Sequence, residues 1–232
     1  MIELRAAAVL LDIEGTLGSI AFVRDVLFPY ADARIDEFAA LRGGEPDVRA
    51  VLDLAAREAN VDAFDLSGIL AALHEWSAGD VKTTPLKAIQ GMIWRDGFES
   101  GAIVGHLYPD AVEALRRYRS NGVLLAIYSS GSVAAQRLLF GHSVAGDLIE
   151  MFAGFYDTTS GPKLESDSYT RIAQALGFAP ASVAFFSDNE RELDAARDAG
   201  MQTVQLVRPE DGTKPDPNHA IVATFADIDV RP

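Results

Sequence analysis

Four short apolar runs, at residues 6–11, 123–128, 183–186 and 203–207, constrain the fold of this 232-residue chain more than any other feature. Each is four to six residues long, β-branched or aromatic in part, and closed off by polar residues or glycine. A half-buried strand would alternate apolar and polar; a continuous run suits a strand buried on both faces of a parallel sheet. Between the runs the spacing turns helical. Ala111, Val112, Leu115 and Tyr118 share one face of a stretch that Asn121-Gly122 stops, and 132–139, 166–176 and 190–199 follow the same pattern, with Gly177 and Gly200 behind the last two. From about residue 101 onward the alternation predicts βαβ units, and hence an α/β fold built on a doubly wound parallel sheet.

Residues 20–100 break this rhythm. They read as helix almost throughout, for example 50–59, 69–76 and 86–94, with breaks at Gly43-Gly44-Glu45-Pro46 and Thr84-Pro85. The economical arrangement is a helical cap inserted after the first strand and set above its carboxyl end. We therefore expect residues 1–19 and 101–232 to form the α/β core and residues 20–100 the cap. Residues 208–218, rich in Pro, Asp and Gly, are expected to be loop, and 220–228 a last edge strand.

In a parallel sheet, ligands gather outside the carboxyl ends of the strands. The run 6–11 ends in Asp12-Ile13-Glu14-Gly15-Thr16, two carboxylates two residues apart. Taken alone, Asp12 reads as a turn or cap residue. Two further strand ends change that. Run 123–128 leads into Ser129-Ser130-Gly131-Ser132, hydroxyls and free amides at the opening of a helix, which suit phosphate oxygens; the plainer reading is an N-cap at Ser132 or a neighbour. Run 183–186 leads into Ser187-Asp188-Asn189-Glu190-Arg191-Glu192, where Asp188 is placed to face Asp12 as a second metal carboxylate. Glu192 is expected one turn further along the same helix face, and Ser187 with Glu190 forms a capping-box pattern. Lys163 follows Gly161-Pro162; by residue type alone it reads as a solvated surface lysine, yet a cation at that turn would neutralise a phosphate and an attacking carboxylate together.

Together these residues suit a phosphoryl-transfer site. Its carboxylates hold Mg²⁺, a hard cation taken by oxygen ligands, and Asp12 is able to act as a covalent nucleophile through an aspartyl-phosphate. No Walker loop and no G-x-G-x-x-G supports nucleotide binding, and Ser129-Ser130 is not a G-x-S-x-G elbow. The formal net charge of −14 argues against nucleic acid or an anionic membrane as partner. The chain contains no cysteine, which excludes disulfides, thiolate metal sites and a cysteine nucleophile. No run approaches the roughly 18 apolar residues of a bilayer span. Run 6–11 is too short for a secretory signal, so cytoplasmic residence is expected.

Asp-x-Glu-Gly-Thr after the first run, a serine after a later one, then a lysine, then Ser-Asp-x-x-x-Glu resembles the four-motif pattern of the haloacid dehalogenase-like superfamily. More narrowly the chain resembles the enolase-phosphatases, or acireductone synthases, through the blocks FVRDVLFPY (22–30), LKAIQGMIW (86–94), YSSGS (128–132), LFGH (139–142), FYDTT (155–159) and GPK (161–163). Glu14, two residues after Asp12, matches that subgroup, since most phosphatases of the superfamily carry Asp there. Leu17-Gly18-Ser19 and Met92 depart from it, standing where more polar residues are usual.

The resemblance implies a haloacid dehalogenase-like core with a helical cap, working as a monomer with Mg²⁺ on a small phosphorylated diketone. It implies that Asp12 binds metal and attacks phosphorus, and that Glu14 ligates the metal through its carbonyl while its carboxylate acts as acid and base. It implies that Asp188 completes the metal ligands, that Ser129 and Ser130 bind phosphate, and that Lys163, held by Glu192, balances charge. The substrate so implied is 2,3-diketo-5-methylthiopentyl-1-phosphate of methionine salvage, enolised and then hydrolysed to acireductone and phosphate.

Overall fold

The computed structural model describes residues 1–232. The chain runs through β1 (Ile2–Arg5), β2 (Ala8–Leu11), α1 (Ile20–Phe22) and a π-turn at Val23–Leu27 into five helices. These are α2 (Phe28–Asp32), α3 (Ile35–Arg42), α4 (Pro46–Ala59), α5 (Leu66–Ala78) and α6 (Thr84–Glu99). Then follow α7 (Pro109–Ser120), β3 (Leu124–Tyr128), α8 (Val133–Gly141), β4 (Phe152–Tyr156), α9 (Ser166–Ala175), β5 (Val183–Ser187), α10 (Glu190–Asp198), β6 (Gln202–Leu206), β7 (Ala220–Val222) and β8 (Ile228–Arg231). The chain forms two compact units, Met1–Phe22 with Val104–Pro232, and Val23–Ile103. No helix is long and apolar enough to cross a membrane.

The first unit holds a six-stranded sheet in the order β4-β3-β2-β5-β6-β7, every pair parallel. The expected double winding is visible in single strands. Val9 and Leu11 of β2 join Leu125, Ile127, Ala184 and Phe186 in a core closed by α7 and α8. Their neighbours Ala8 and Leu10 point the other way, with Ala126, Tyr128, Val183 and Phe185, into a core closed by α9 and α10. A strand covered on both faces has no place for polar alternation, which is why the sequence shows continuous apolar runs. Each large side chain so buried contributes about 1.5–3 kcal/mol.

Three details differ from the expectations. The strand that leads into Asp12 is second in the chain, because β1 precedes it and pairs in parallel with β8 as a separate two-stranded sheet. Residues 152–156 form the edge strand β4, whose Gly154 and half-exposed aromatics conceal it among apolar runs. The stretch 220–228 is not one strand. After β7, Thr224 caps a short turn at Phe225–Asp227, and β8 then joins the other sheet.

The unit Val23–Ile103 is all helical around its own core. Val48, Val51, Leu52, Ala55 and Ala56 of α4 form a stripe at helical spacing against Ile69, Leu73, Leu86, Ile89 and Ile93. Pro46 and Pro85 sit in the first turns of α4 and α6, where a missing N–H costs nothing, so both prolines start helices. Met92 packs against this core, which accounts for its apolar character.

Candidate active site

The sheet register determines what meets at its carboxyl edge. Leu11 lies beside both Ile127 and Phe186, so the residues that follow β2, β3 and β5 emerge side by side. Adjacent strands are about 4.8 Å apart, which places the exits of all three within side-chain reach. Asp12 is the first residue past β2; its amide still donates to Phe186 O at 3.0 Å, which fixes its backbone.

Beyond Asp12 the chain folds into a tight loop. Ile13 O accepts from the amides of Thr16, Leu17 and Gly18, and Gly15 N donates to Gly18 O at 2.8 Å. Gly15 has φ +72°, and a Cβ on it would lie 2.6 Å from Asp188 Oδ2, so glycine is required both by the turn and by the carboxyl pressed against it. Gly18 is needed too, since a Cβ there would meet His106 O at 2.7 Å. The apolar departure at Leu17 is a fully buried core side chain, and Ser19 Oγ donates to Asp211 Oδ1 at 2.7 Å.

Lys163 is not a surface residue. Its Nζ lies 2.5 Å from Asp12 Oδ1 and 2.6 Å from Glu192 Oε2, and the side chain is 7% exposed. Two tyrosines hold the loop that carries it: Tyr128 OH donates to Gly161 O at 2.8 Å, and Tyr169 OH to Lys163 O at 2.7 Å. Ser129 is buried, and its Oγ donates to Glu14 Oε2 at 3.3 Å while accepting from Gly131 N. Gln136 braces the same loop from below, donating to Gly131 O and Tyr156 O. Ser130 is exposed, and Ser132 caps α8 through Ala135 N.

The capping box read from Ser187 and Glu190 is not present. Asn189 is the N-cap of α10, and Ser187 Oγ instead donates to Glu192 Oε2 at 3.1 Å and accepts from Asn189 N. Asp188 accordingly precedes the helix, in the turn, rather than sharing a face with Glu192. Tyr128, Gln136, Tyr169 and Ser187 were not singled out as site residues by sequence. Tyr128, inside the YSSGS block, and Ser187, inside the Ser-Asp-x-x-x-Glu pattern, carried a signal; Gln136 and Tyr169 did not.

The electrostatics are dominated by excess negative charge: Asp12, Glu14, Asp188 and Glu192 surround one ammonium. Burial, then the charge of Asp12, pushes the Glu14 carboxyl up. Asp188 is pushed up to about 7 by burial, reinforced by Asp12 and Glu192. Glu192 likewise rises to about 7 from burial and Asp12, although Lys163 opposes it. Burial by itself would lower Lys163, but the carboxylates of Asp12 and Glu192 outweigh it and hold the ammonium above its ordinary range. A carboxylate-rich site with one resident cation is matched by a further, hard cation. No three Asp, Glu or His side chains form a closed cage. The surplus carboxylate oxygens of Asp12 and Asp188 are hard donors of the kind that suit a divalent cation.

An open groove of about 570 Å³ beside α9 and α10, lined by Glu165, Asp167, Arg191, Asp194 and Asp198 among others, shares no residue with this cluster. The convergent charged groups, not that concavity, mark the candidate site.

Comparison with known proteins gives a consistent result. A family model described as haloacid dehalogenase-like hydrolase matches residues 6–200. The chain is 51% identical over 224 residues to enolase-phosphatase E1 of Pseudomonas aeruginosa (strain UCBPP-PA14), covering 97% of this chain and 98% of the relative. It is 47% identical over 230 residues to enolase-phosphatase E1 of Sorangium cellulosum, covering 98% and 99%. Among solved structures, the UTR4 protein of Saccharomyces cerevisiae superposes with a TM-score of 0.82 at 34% identity, covering 96% of this chain and 99% of that one.

Proposed function

Since the chain belongs to the haloacid dehalogenase-like hydrolases and, within them, to the enolase-phosphatase E1 family, we propose that it is the enolase-phosphatase of methionine salvage. The substrate is 2,3-diketo-5-methylthiopentyl-1-phosphate and the products are acireductone and phosphate. The observation that carries this reading is the contact set Asp12–Lys163–Glu192, with Glu14 on Ser129 and Asp188 against Gly15, in a chain so close to enolase-phosphatase relatives.

Asp12, Asp188 and the Glu14 carbonyl would hold Mg²⁺, which when bound neutralises phosphate charge and polarises the diketone oxygens. Glu14 removes the C1 proton to leave an enolate; burial, then the charge of Asp12, raises its pKa and makes it a stronger base than an exposed carboxylate. Asp12 then attacks phosphorus in line, and the ester P–O bond breaks as the aspartyl-phosphate forms. The departing enol oxygen takes a proton from Glu14. Glu14 next accepts a proton from water, whose oxygen attacks phosphorus; the bond to Asp12 breaks and phosphate leaves, the acireductone departs as its enolate, and Glu14 returns its proton to solvent. Ser129 and Ser130 hold phosphate oxygens, and Lys163 offsets charge on Asp12 and the transferring group. Phosphate monoester hydrolysis needs accelerations up to about 10²¹-fold. Proton transfer supplies roughly 10²–10⁴ of this, so positioning and charge compensation carry the larger share.

The test is anaerobic, following enol absorbance and released phosphate together on the diketo phosphate with Mg²⁺. An enol signal preceding or accompanying phosphate supports the two-step reading. Phosphate release with no enol at any time leaves a simple phosphatase, and no reaction refutes the substrate.

A further inference from the structure

Arg208 follows β6 and is only 4% exposed, an unusual burial for arginine. Its guanidinium pairs with Asp110 Oδ2 at 3.0 Å, donates to Ala223 O at 3.2 Å, and reaches Thr16 O at 3.3 Å. It lies 4.2 Å over the Tyr108 ring. Three residues on, Asp211 Oδ1 accepts from Ser19 Oγ at 2.7 Å and from Ile20 N at 3.0 Å, while its Oδ2 accepts from Tyr108 OH at 2.6 Å. Tyr108 N in turn donates to Leu17 O at 2.9 Å. One turn of the chain, with the tyrosine between its two charged residues, thus grips Thr16, Leu17, Ser19 and Ile20. These are the residues immediately after Glu14. Thr16 adds no side-chain tie of its own, because its Oγ is buried without a hydrogen-bond partner.

A buried ion pair is a poor stability device, often matched or exceeded by apolar side chains of like volume. What an apolar residue cannot supply is a planar fork that binds several oxygens at once in fixed directions. We propose that Arg208 and Asp211 are positioning residues for Glu14, holding the loop from 15 to 20 so that the Glu14 carboxyl stays beside Ser129 Oγ. The inference rests on the reading of Glu14 as the proton donor to the leaving group.

The test compares Arg208→Lys, Asp211→Asn and Glu14→Gln with the unaltered protein by two readouts. The first is amide hydrogen exchange at Leu17, Gly18 and Ile20 in the metal-free protein, which needs no activity. Exchange about tenfold faster there in Arg208→Lys and Asp211→Asn, with global unfolding unchanged, is expected from local opening of the loop. The second is the first-turnover rate on two esters, the diketo phosphate and p-nitrophenyl phosphate, whose nitrophenolate departs without a proton. Glu14→Gln should lose about 10²-fold or more on the former and far less on the latter. The two clamp variants should show the same selectivity at about tenfold. Equal losses on both esters, or unchanged exchange at the three amides, overturns the positioning role. If Glu14→Gln itself shows no selectivity, the reading of Glu14 is what fails, and the exchange data still judge the clamp.

Discussion

Replacing Lys163 by methionine tests the charge balance of the site most directly. The ammonium sits 2.5 Å from Asp12 and 2.6 Å from Glu192, with the three side chains 7, 5 and 11% exposed. Removing one partner of so buried a pair costs about 3–5 kcal/mol, because the charges left behind have no opposite charge beside them. Methionine retains most of the volume, so little is added by a cavity. The cost is capped by protonation, since Glu192 already lies near 7 with the lysine present. Its folded pKa is raised, so its ionisation costs stability as pH rises from about 4.3, the unfolded value, through the folded one. Loss of the lysine raises it further and widens that window. The expected deficit against the unaltered protein is therefore about 3–5 kcal/mol at pH 8 and smaller at pH 5. Adding Glu192→Gln should recover at least about 1 kcal/mol at pH 8, because one orphaned charge is gone. Urea denaturation should be followed by far-UV circular dichroism, since both tryptophans, Trp76 and Trp94, lie in the helical unit. A deficit below about 1 kcal/mol at pH 8, the worth of an exposed pair, refutes the reasoning. So does one that is equal at pH 5 and pH 8.

Two further outcomes follow from the same electrostatics. Asp188, raised to about 7 by burial and then by Asp12 and Glu192, costs stability as pH climbs from its unfolded value toward 7, and a cation bound only by the folded chain offsets that cost. Saturating Mg²⁺ should raise Tm more at pH 8 than at pH 5.5, and increments equal at both would contradict this. In the helical unit, His74 bridges Asp36 at 2.8 Å and Asp32 at 3.2 Å, and the hydrogen bond to Asp36 leads the upward shift of its pKa. A raised histidine contributes stability that is present below about 6.5 and lost as pH rises through the folded value. His74→Gln, monitored by tryptophan fluorescence, should therefore weaken that unit at pH 5.5 and change it little at pH 8.5; a pH-independent effect refutes the bridge.

Much of the architecture was legible because the signals are local. Strands covered on both faces leave continuous apolar runs, and one buried helix face leaves the stripe from Val48 to Ala56. The β1–β8 pair was not read, although Ile2-Glu3-Leu4-Arg5 and Ile228-Asp229-Val230-Arg231 both alternate; nothing local says that the first and last residues of a chain will pair. The capping box at Ser187 failed for a related reason. The Ser187 hydroxyl donates to Glu192 and accepts from Asn189 N rather than Glu190 N, so Asn189 is left to cap the helix.

The sequence alone determined which chemistry-bearing residues stand at strand ends: Asp12, Glu14, Ser129 and Asp188 follow apolar runs, and a parallel sheet collects such ends at one edge. Tertiary structure decided the state of each. Lys163, a surface residue by type, became a buried cation because Asp12 and Glu192 converge on it from elements 151 and 29 residues away along the chain (163 − 12 and 192 − 163). Arg208, in a stretch that reads as plain loop, became the grip on the turn after Glu14. Periodicity and turn chemistry act over a few residues and are written in the chain. Desolvation and charge compensation depend on what lies opposite, and that exists only once the chain has folded.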